Sequence, residues 1–325
     1  MLDKHASLLT QNDLEMKKLK TLYIGGGTPS LWGKRGAGFL AGQFQSYEIE
    51  LSEKGEFTLE VNPGTWDKEG IDAWRSFGMN RFSLGIQSLR SDYLKVLDRV
   101  HSVEDVFDSL KFFKENNDNF SVDFMLGLPR SKSMERDVIA ELGEILSYSP
   151  KHISLYILTA KSNYKFKDEL PDEHFLEEEF LRVANFLKDH GFSHYEVSNF
   201  AKPGYESVHN LMYWRSESVG ALGPSAVGLL SDQKLRYKWK PRGTELEIEC
   251  LSDEQYVLEK LYMAMRTHHG FSPKSYFPEK REAISFILND WSEHELGRGD
   301  FDHFRLSSKG LLVLDGLIDQ LLTHC

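Results

Sequence analysis

The stretch Thr21-Leu-Tyr-Ile-Gly-Gly-Gly-Thr-Pro-Ser30 decides the fold class of this chain. Its apolar, β-prone start predicts a strand, and three adjacent glycines followed by a Thr-Pro turn end that strand. Glycines leave backbone N–H and C=O groups bare where side chains would otherwise stand. Bare backbone groups at the carboxyl end of a strand can hold the polar end of a small ligand. We therefore expect Gly25, Gly26, Gly27 and Thr28 to form a binding loop.

Composition sets wide bounds on the function. The chain has 325 residues, a formal charge of −11 at pH 7 and 40% hydrophobic residues, which suits one large α/β domain with a smaller appendage. The acidic balance argues against nucleic-acid binding, which needs a concentrated basic face. No apolar run approaches membrane-spanning length, and we expect a cytoplasmic protein. The two cysteines, Cys250 and Cys325, give neither a disulfide framework nor the spacing of a metal site.

Strand-like and helix-like segments alternate along the N-terminal part of the chain. This alternation predicts βαβ units and a parallel sheet, either doubly wound or closed into a barrel. The predicted strands are residues 19–24, 57–61, 81–86, 121–126 and 152–158. The predicted helices are residues 34–46, 66–77, 103–115, 133–146 and 172–190.

Polar or turn residues follow nearly every predicted strand. Glu60 and Asp123 lie within strand patterns, where a buried carboxylate needs a partner. Gln87 ends a strand, and Arg99 follows it along the chain. Taken one at a time, each has an ordinary structural role, such as a loop cap or a solvated helix-end cation. Because the carboxyl ends of parallel strands in a β/α barrel meet on one face, together they predict one ligand site.

These motifs, in this order, resemble those of the radical S-adenosylmethionine family that includes oxygen-independent coproporphyrinogen III oxidase and the heme chaperone HemW. The resemblance runs from about Leu19 to the C-terminus. It implies an α/β fold, a partial (β/α)6 barrel with S-adenosylmethionine across the strand ends, and a small, mostly helical C-terminal domain. The ammonium, carboxylate and ribose diol of that cofactor want acidic, basic and amide partners. The residues that the resemblance assigns to cofactor binding are Gly25, Gly26, Gly27, Thr28, Glu60, Gln87, Arg99 and Asp123.

A second motif, His209-Asn-Leu-Met-Tyr-Trp214, resembles the HNxxYW signature of the heme-chaperone branch. The resemblance implies heme binding by His209, Asn210, Tyr213 and Trp214, with His209 as a candidate ligand of the heme iron. Imidazole ligates iron, and flat apolar rings cover the macrocycle. Without the resemblance, the same residues favour a histidine that caps a loop beside two aromatic side chains in a core.

The chain departs from the family at its iron–sulfur motif. The family binds a [4Fe–4S] cluster through a CxxxCxxC loop after the first barrel strand, and residues 1–20 contain no cysteine. We expect a remnant helix there, a barrel without its first strand, and an open edge on the strand at 19–24. As written, the chain should be inert in the reductive cleavage of S-adenosylmethionine. Either the chain begins at an internal methionine of a longer protein, or the motif has been lost, so whether it is an enzyme stays open.

The expected organisation is a remnant helix at 1–20, a barrel with the HNxxYW segment at 21–230, and a C-terminal domain at 235–325. The favoured function is a heme chaperone that binds heme and S-adenosylmethionine and passes heme to acceptor proteins, with a membrane acceptor left open. One alternative is an enzyme that decarboxylates the propionates of coproporphyrinogen III. Another is a cluster-free interaction protein that keeps the barrel as a scaffold.

Overall fold

The computed structural model describes residues 1–11, 18–243 and 245–323. Its helices are α1 (Leu2–Gln11), α2 (Gly33–Ser46), α3 (Lys68–Phe77), α4 (Ser91–Val96), α5 (Val103–Glu115), α6 (Val138–Leu146), α7 (Glu173–Asp189), α8 (Val208–Trp214), α9 (Asp253–Ala264), α10 (Pro273–Tyr276), α11 (Arg281–Glu293), α12 (Ser308–Leu312) and α13 (Leu314–Thr323). Its strands are β1 (Lys18–Ile24), β2 (Glu50–Val61), β3 (Arg81–Gln87), β4 (Phe120–Leu126), β5 (His152–Ile157), β6 (Ser193–Glu196), β7 (Asn199–Ala201), β8 (Val227–Leu230), β9 (Leu235–Trp239), β10 (Leu246–Cys250), β11 (Gly297–Gly299) and β12 (Phe304–Leu306).

The chain forms two compact units. One is Lys18–Glu206, which we call the barrel unit. The other, which we call the second unit, joins the described parts of Met1–Lys17 to those of Ser207–Cys325. This division falls between residues 206 and 207, whereas the boundary expected from the sequence lies at 230–235 and keeps the HNxxYW segment with the barrel.

A seven-stranded sheet organises the barrel unit and curls into a partial barrel, as expected. Strands β1 to β5 lie side by side in chain order and pair in parallel. The sheet then continues through β7 and β6, which pair antiparallel. Parallel neighbours in chain order require a crossover helix between successive strands, and the helices that follow β1 to β4 provide it. Every residue of β3 is buried, as befits a central strand of a parallel sheet.

Strand β1 is an edge strand among the described residues, because β2 is its one partner there. This open edge was expected from the sequence. Lys18, at the start of the edge, is exposed, and charged lysines on an edge discourage pairing with a second chain.

Two helix starts show how local chemistry sets the boundaries. Helix α5 begins where predicted, since Ser102 and Asp105 form a reciprocal capping box. Helix α6 begins at Val138 rather than at the predicted 133. The Asp137 carboxylate caps it by accepting a 3.0 Å hydrogen bond from the Ala140 N–H, and the preceding residues form turns instead.

The second unit contains an antiparallel sheet in the order β10-β9-β8, a two-stranded ribbon of β11 and β12, and helices α8 to α13. Its larger core packs around Trp291, Phe304 and Leu321, all of which are buried. This agrees with the mostly helical C-terminal domain that was expected, with the two small sheets added to it.

Helix α1 packs within the second unit. Leu8 and Leu9 lie in one apolar cluster with Tyr237 and Trp239 of β9, and His5 Nε2 lies 2.6 Å from the Tyr237 hydroxyl. The predicted remnant helix at 1–20 is therefore shorter than expected, because Lys18 already belongs to β1 and residues 12–17 lie outside the described residues. No helix in the described ranges is both long and apolar enough to cross a bilayer.

Candidate functional site

The glycine loop follows β1 directly, as predicted. A Cβ on Gly25 would lie 2.6 Å from Glu60 Oε1 and 2.6 Å from Tyr23 Cε1, so a larger residue there would displace one of these side chains. Gly26 and Gly27 have φ of +81° and +69°, which L side chains rarely adopt, and a Cβ at either would meet open space. The loop therefore presents bare backbone to an open region at the end of β1.

Glu60, near the end of β2, holds this loop in place. One carboxylate oxygen accepts a 2.9 Å hydrogen bond from the Gly26 N–H, and the other accepts a 2.9 Å bond from the Tyr23 hydroxyl. Burial raises the pKa of Tyr23 well above its usual value, and the charges of Glu60 and Asp123 raise it further. Tyr23 therefore stays a neutral donor, and Glu60 keeps lone pairs for a ligand that donates hydrogen bonds.

Asn62 links the ends of β1, β2 and β3. Its Nδ2 donates to Thr28 Oγ1 at 3.4 Å, and its backbone N–H donates to Ser30 Oγ at 3.3 Å. On the other side, its Oδ1 would lie 2.5 Å from a Cβ at Gly85, which explains the glycine in β3. Asn62 begins the Asn-Pro-Gly turn that follows β2 and was not predicted to belong to the site. The turn itself was the signal that could have identified it.

Gln87 ends β3 in a strained conformation. Its φ of +68° lies in the left-handed region, which is uncommon for a non-glycine residue, and the side chain is buried. Its Nε2 would lie 3.5 Å from a Cβ at Gly85, next to the Asn62 side chain. Such strain persists only where the surroundings hold it, and it is concentrated at binding sites.

Asp123, in β4, lies in the same interior. Ser83 Oγ donates to its Oδ1 at 3.2 Å, and Ser154 of the neighbouring strand β5 also hydrogen-bonds to it. Burial raises the pKa of Asp123 to about 6, the Ser154 and Ser83 hydroxyls lower it, and the Glu60 charge raises it again. Glu60 and Asp123 therefore lie close enough to repel each other, and the structure brings them together as predicted.

Arg99 is placed on the loop between α4 and α5, where it lines a groove of about 700 Å³ with Lys95 and His101. It is half-buried and makes no ion pair with a described residue. His101 fastens the loop to the end of β3. Burial lowers the pKa of its ring, and the hydrogen bond to the Ile86 carbonyl raises it. Arg99 therefore lies on one of the loops at the strand ends. No hydrogen bond or ion pair among the described residues connects its side chain to Glu60 or Asp123.

Several interior residues of the site were not predicted. Tyr23 and Ser83 fix the two carboxylates, and Arg81 lies buried beneath them with Glu56 at 3.9 Å. Each sits on the barrel-facing side of its strand, where alternate residues point inward. A regular spacing of polar residues along β1 and β3 was the available signal, and it becomes readable only once the register of the sheet is known.

The chemistry of this donor and acceptor set fits S-adenosylmethionine. The carboxylates Glu60 and Asp123 suit its ammonium group and ribose diol, Gln87 offers an amide, and Arg99 offers a cation for its carboxylate. A [4Fe–4S] cluster does not fit this chain, because the family's cluster loop supplies three thiolates and the sequence contains two cysteines. Cys250 is exposed in β10, and no group of three metal-binding side chains occurs within the described ranges.

The HNxxYW segment forms helix α8 of the second unit. Ser207 caps this helix by accepting a hydrogen bond from the Asn210 N–H at 3.3 Å, so His209 is not the cap. The rings of His209 and Tyr213 lie one helical turn apart with centroids 5.4 Å apart at 73°, and 39% of Tyr213 is exposed. Trp214 is half-buried at the end of the helix. The predicted histidine and tyrosine therefore share one accessible face, while the tryptophan does not pack fully into a core.

Comparisons with known proteins agree with this architecture. Residues 8–143 match the model of the radical SAM superfamily. The chain is 33% identical to the heme chaperone HemW of Lactococcus lactis over 79% of this chain and 71% of that protein. It is 30% identical to HemW of Bacillus subtilis over 91% of this chain and 83% of that protein. The match to HemW of Buchnera aphidicola from Schizaphis graminum, at 34% identity, spans 71% of this chain and 60% of the length of that protein.

Among solved structures, the chain is similar to the coproporphyrinogen III oxidase HemN of Escherichia coli, described as a radical SAM enzyme. The TM-score is 0.78 at 16% identity, and the alignment covers 100% of this chain and 83% of that one. At this identity the likeness concerns the fold.

Proposed function

Since this chain belongs to the radical SAM superfamily, in the family of HemW and HemN, we propose that it is a HemW-like heme chaperone. In this proposal it binds heme through α8, binds S-adenosylmethionine at the ends of the barrel strands, and delivers heme to acceptor proteins. The observation that carries the proposal is the capped helix α8, with the rings of His209 and Tyr213 on one accessible face. Imidazole is a common ligand of heme iron, and an adjacent aromatic ring suits the porphyrin face.

The barrel site supports the second ligand. Gly26 and Gly27 leave room for the methionine end of S-adenosylmethionine, while Glu60 and Asp123 supply acceptors for its ammonium and hydroxyl donors. When bound together with an iron–sulfur cluster, this cofactor supplies radical chemistry in its family. The cysteines of this chain do not suffice for that cluster, so its own residues account for binding and orientation only.

Heme binding is tested by titrating ferric heme into the protein and following the Soret band. We expect His209→Ala to shift the band and weaken binding, because the iron loses an imidazole ligand. His174→Ala, which removes an exposed histidine of α7, serves as the matched control. An unchanged spectrum and affinity in His209→Ala would refute the assignment of the iron ligand.

S-adenosylmethionine binding is tested by titration calorimetry. Without cluster iron, a few hydrogen bonds of about 1.5–3 kcal/mol each remain, and much of that energy offsets the entropy of immobilisation. We expect a dissociation constant of about 1 mM and at least tenfold weaker binding in Glu60→Gln. Glu144→Gln, on the exposed face of α6, is the control. If Glu60→Gln binds S-adenosylmethionine as tightly as the unaltered protein, Glu60 does not belong to the binding site.

A second candidate is an enzyme that oxidises coproporphyrinogen III, the activity in the name of HemN, whose fold this chain shares. Measurements of heme uptake and of coproporphyrinogen turnover on the same protein distinguish the two candidates. Heme uptake without turnover of coproporphyrinogen supports the chaperone, and turnover supports the oxidase. A folded protein that binds neither heme nor S-adenosylmethionine would instead be an interaction protein on a radical SAM scaffold.

A further inference from the structure

Arg266 occupies an unusual place at the end of α9. Its guanidinium carbon lies 3.4 Å from the centroid of the Tyr262 ring and 5.9 Å from that of Trp214, the last residue of α8. Only 13% of the side chain is exposed. A cation held against two aromatic rings is pre-oriented and partly stripped of water, and both conditions strengthen its attraction for an anion.

The hydrogen-bond partners of Arg266 leave most of its capacity unused. One guanidinium nitrogen donates to the Tyr262 carbonyl at 2.7 Å. Another lies 3.7 Å from a carboxylate oxygen of Asp315, beyond hydrogen-bond distance, and that carboxylate is 83% exposed. A guanidinium has five N–H donors arranged to bind a carboxylate in bidentate fashion. Asp315 therefore leaves these guanidinium donors available to a carboxylate that lies closer to Arg266.

The ligand proposed for α8 carries such groups. Heme has two propionate carboxylates, and a chain with a net charge of −11 needs a local cation to hold them. Arg215 also lies beside α8, but it is 53% exposed and 4.0 Å from Glu217. Solvent screening leaves an exposed cation of this kind with little to contribute.

We propose that Arg266 binds a propionate carboxylate of the heme whose iron is held by His209. This inference rests on the proposed heme-binding function. Arg266 contacts the ring of Trp214, so it lies at the C-terminal end of the helix that carries His209. The buried indole N–H of Trp214 has no hydrogen-bond partner among the described residues, and a ligand oxygen at this end of α8 would supply one.

The test compares ferric heme with its dimethyl ester, which keeps the iron and the macrocycle but lacks the carboxylate charges. We expect the unaltered protein to bind heme about tenfold more tightly than the ester, the lower range for a charge-assisted hydrogen bond. In Arg266→Gln the two ligands should bind equally, and the Soret maximum should stay in place because His209 still holds the iron. Arg281→Gln, which removes an arginine lying 5.3 Å from the Phe301 ring in the same unit, should keep the tenfold preference.

Asp315→Asn provides an independent test that does not depend on the stability of an Arg266 variant. Asp315 is exposed and accepts a 3.0 Å hydrogen bond from the Tyr262 hydroxyl, which asparagine can still accept, so the substitution should leave the fold intact while it removes the negative charge beside Arg266. We expect tighter binding of heme and unchanged binding of the ester. The proposal is overturned if Arg266→Gln still prefers heme over the ester, or if Asp315→Asn leaves heme affinity unchanged. Either result, with a normal Soret band, spares the proposed function, whereas a protein that takes up no heme overturns both.

Discussion

Asp123→Asn is expected to stabilise the barrel unit, and to do so only above mildly acidic pH. Burial raises the pKa of Asp123 to about 6 from an ordinary 3.8, so the folded state disfavours the charged form. A rise of about 2 pKa units costs about 3 kcal/mol once the group is ionised in both states. Because Asp123 is half-buried rather than fully buried, solvent screening reduces this cost, and about 3 kcal/mol is its upper limit.

The sign follows from proton linkage. Below about pH 4, Asp123 is protonated whether the chain is folded or unfolded, and it costs nothing. Between about pH 4 and pH 6 the unfolded chain loses this proton while the folded chain keeps it, so stability falls as pH rises. Above about pH 6 the full cost is present. Asparagine carries no charge at any pH, and its Oδ1 can still accept from Ser83, so the variant escapes the cost.

Urea unfolding at pH values from 4 to 8 measures this effect. The difference in unfolding free energy between Asp123→Asn and the unaltered protein should grow from near zero to at most about 3 kcal/mol and then level off, which corresponds to at most about 10 °C in melting temperature. Asp108→Asn, on the exposed face of α5, should show no such rise. A stability difference that does not change with pH would refute the reasoning, because it would mean that the carboxylate is not penalised by its surroundings.

Three further predictions concern the cluster, the glycine loop and the support of the strand ends. Anaerobic reconstitution of this chain with iron and sulfide should give no [4Fe–4S] centre, and a stoichiometric cluster by iron analysis and absorbance would contradict this. Gly25→Ala should cost about 1–3 kcal/mol in thermal unfolding and weaken S-adenosylmethionine binding, because the added Cβ meets Glu60 at 2.6 Å; equal stability would refute the steric argument. Glu141→Gln should cost about 3–5 kcal/mol in urea unfolding, because it leaves the buried Arg136 without its 2.6 Å ion-pair partner; a cost under about 1 kcal/mol would speak against it.

The parallel strands were predictable because each is an apolar run bounded by turn residues. The largest difference is β2, which begins at Glu50 rather than at the predicted residue 57. Its first half is polar, and pairing with β1 rather than apolar patterning makes it a strand. Strands β6 and β7 were not predicted, since segments of four and three residues carry no periodicity that a sequence pattern can detect.

The candidate site was predictable to the extent that its residues follow strands. Glu60 and Asp123 meet because their strands lie on either side of β3 in one parallel sheet. The partners Tyr23 and Ser83 could not be assigned beforehand, because a shift of one residue in register moves a side chain to the opposite face. The role of Arg266 was also out of reach, since α8 and α9 are distant in sequence and helix packing alone brings its guanidinium to Trp214.

The electrostatics of the barrel site indicate the kind of ligand that it suits. Two carboxylates face one interior, and the pKa of Asp123 is raised to about 6 because burial and the Glu60 charge both oppose its ionisation. A cationic ligand placed between them would remove part of that penalty, since an opposite charge nearby favours the ionised carboxylate. S-adenosylmethionine carries an ammonium and a sulfonium charge, whereas its carboxylate requires a separate cation such as Arg99. Arg99, which lines the groove between α4 and α5 and makes no ion pair with a described residue, is the cation that we propose for this carboxylate.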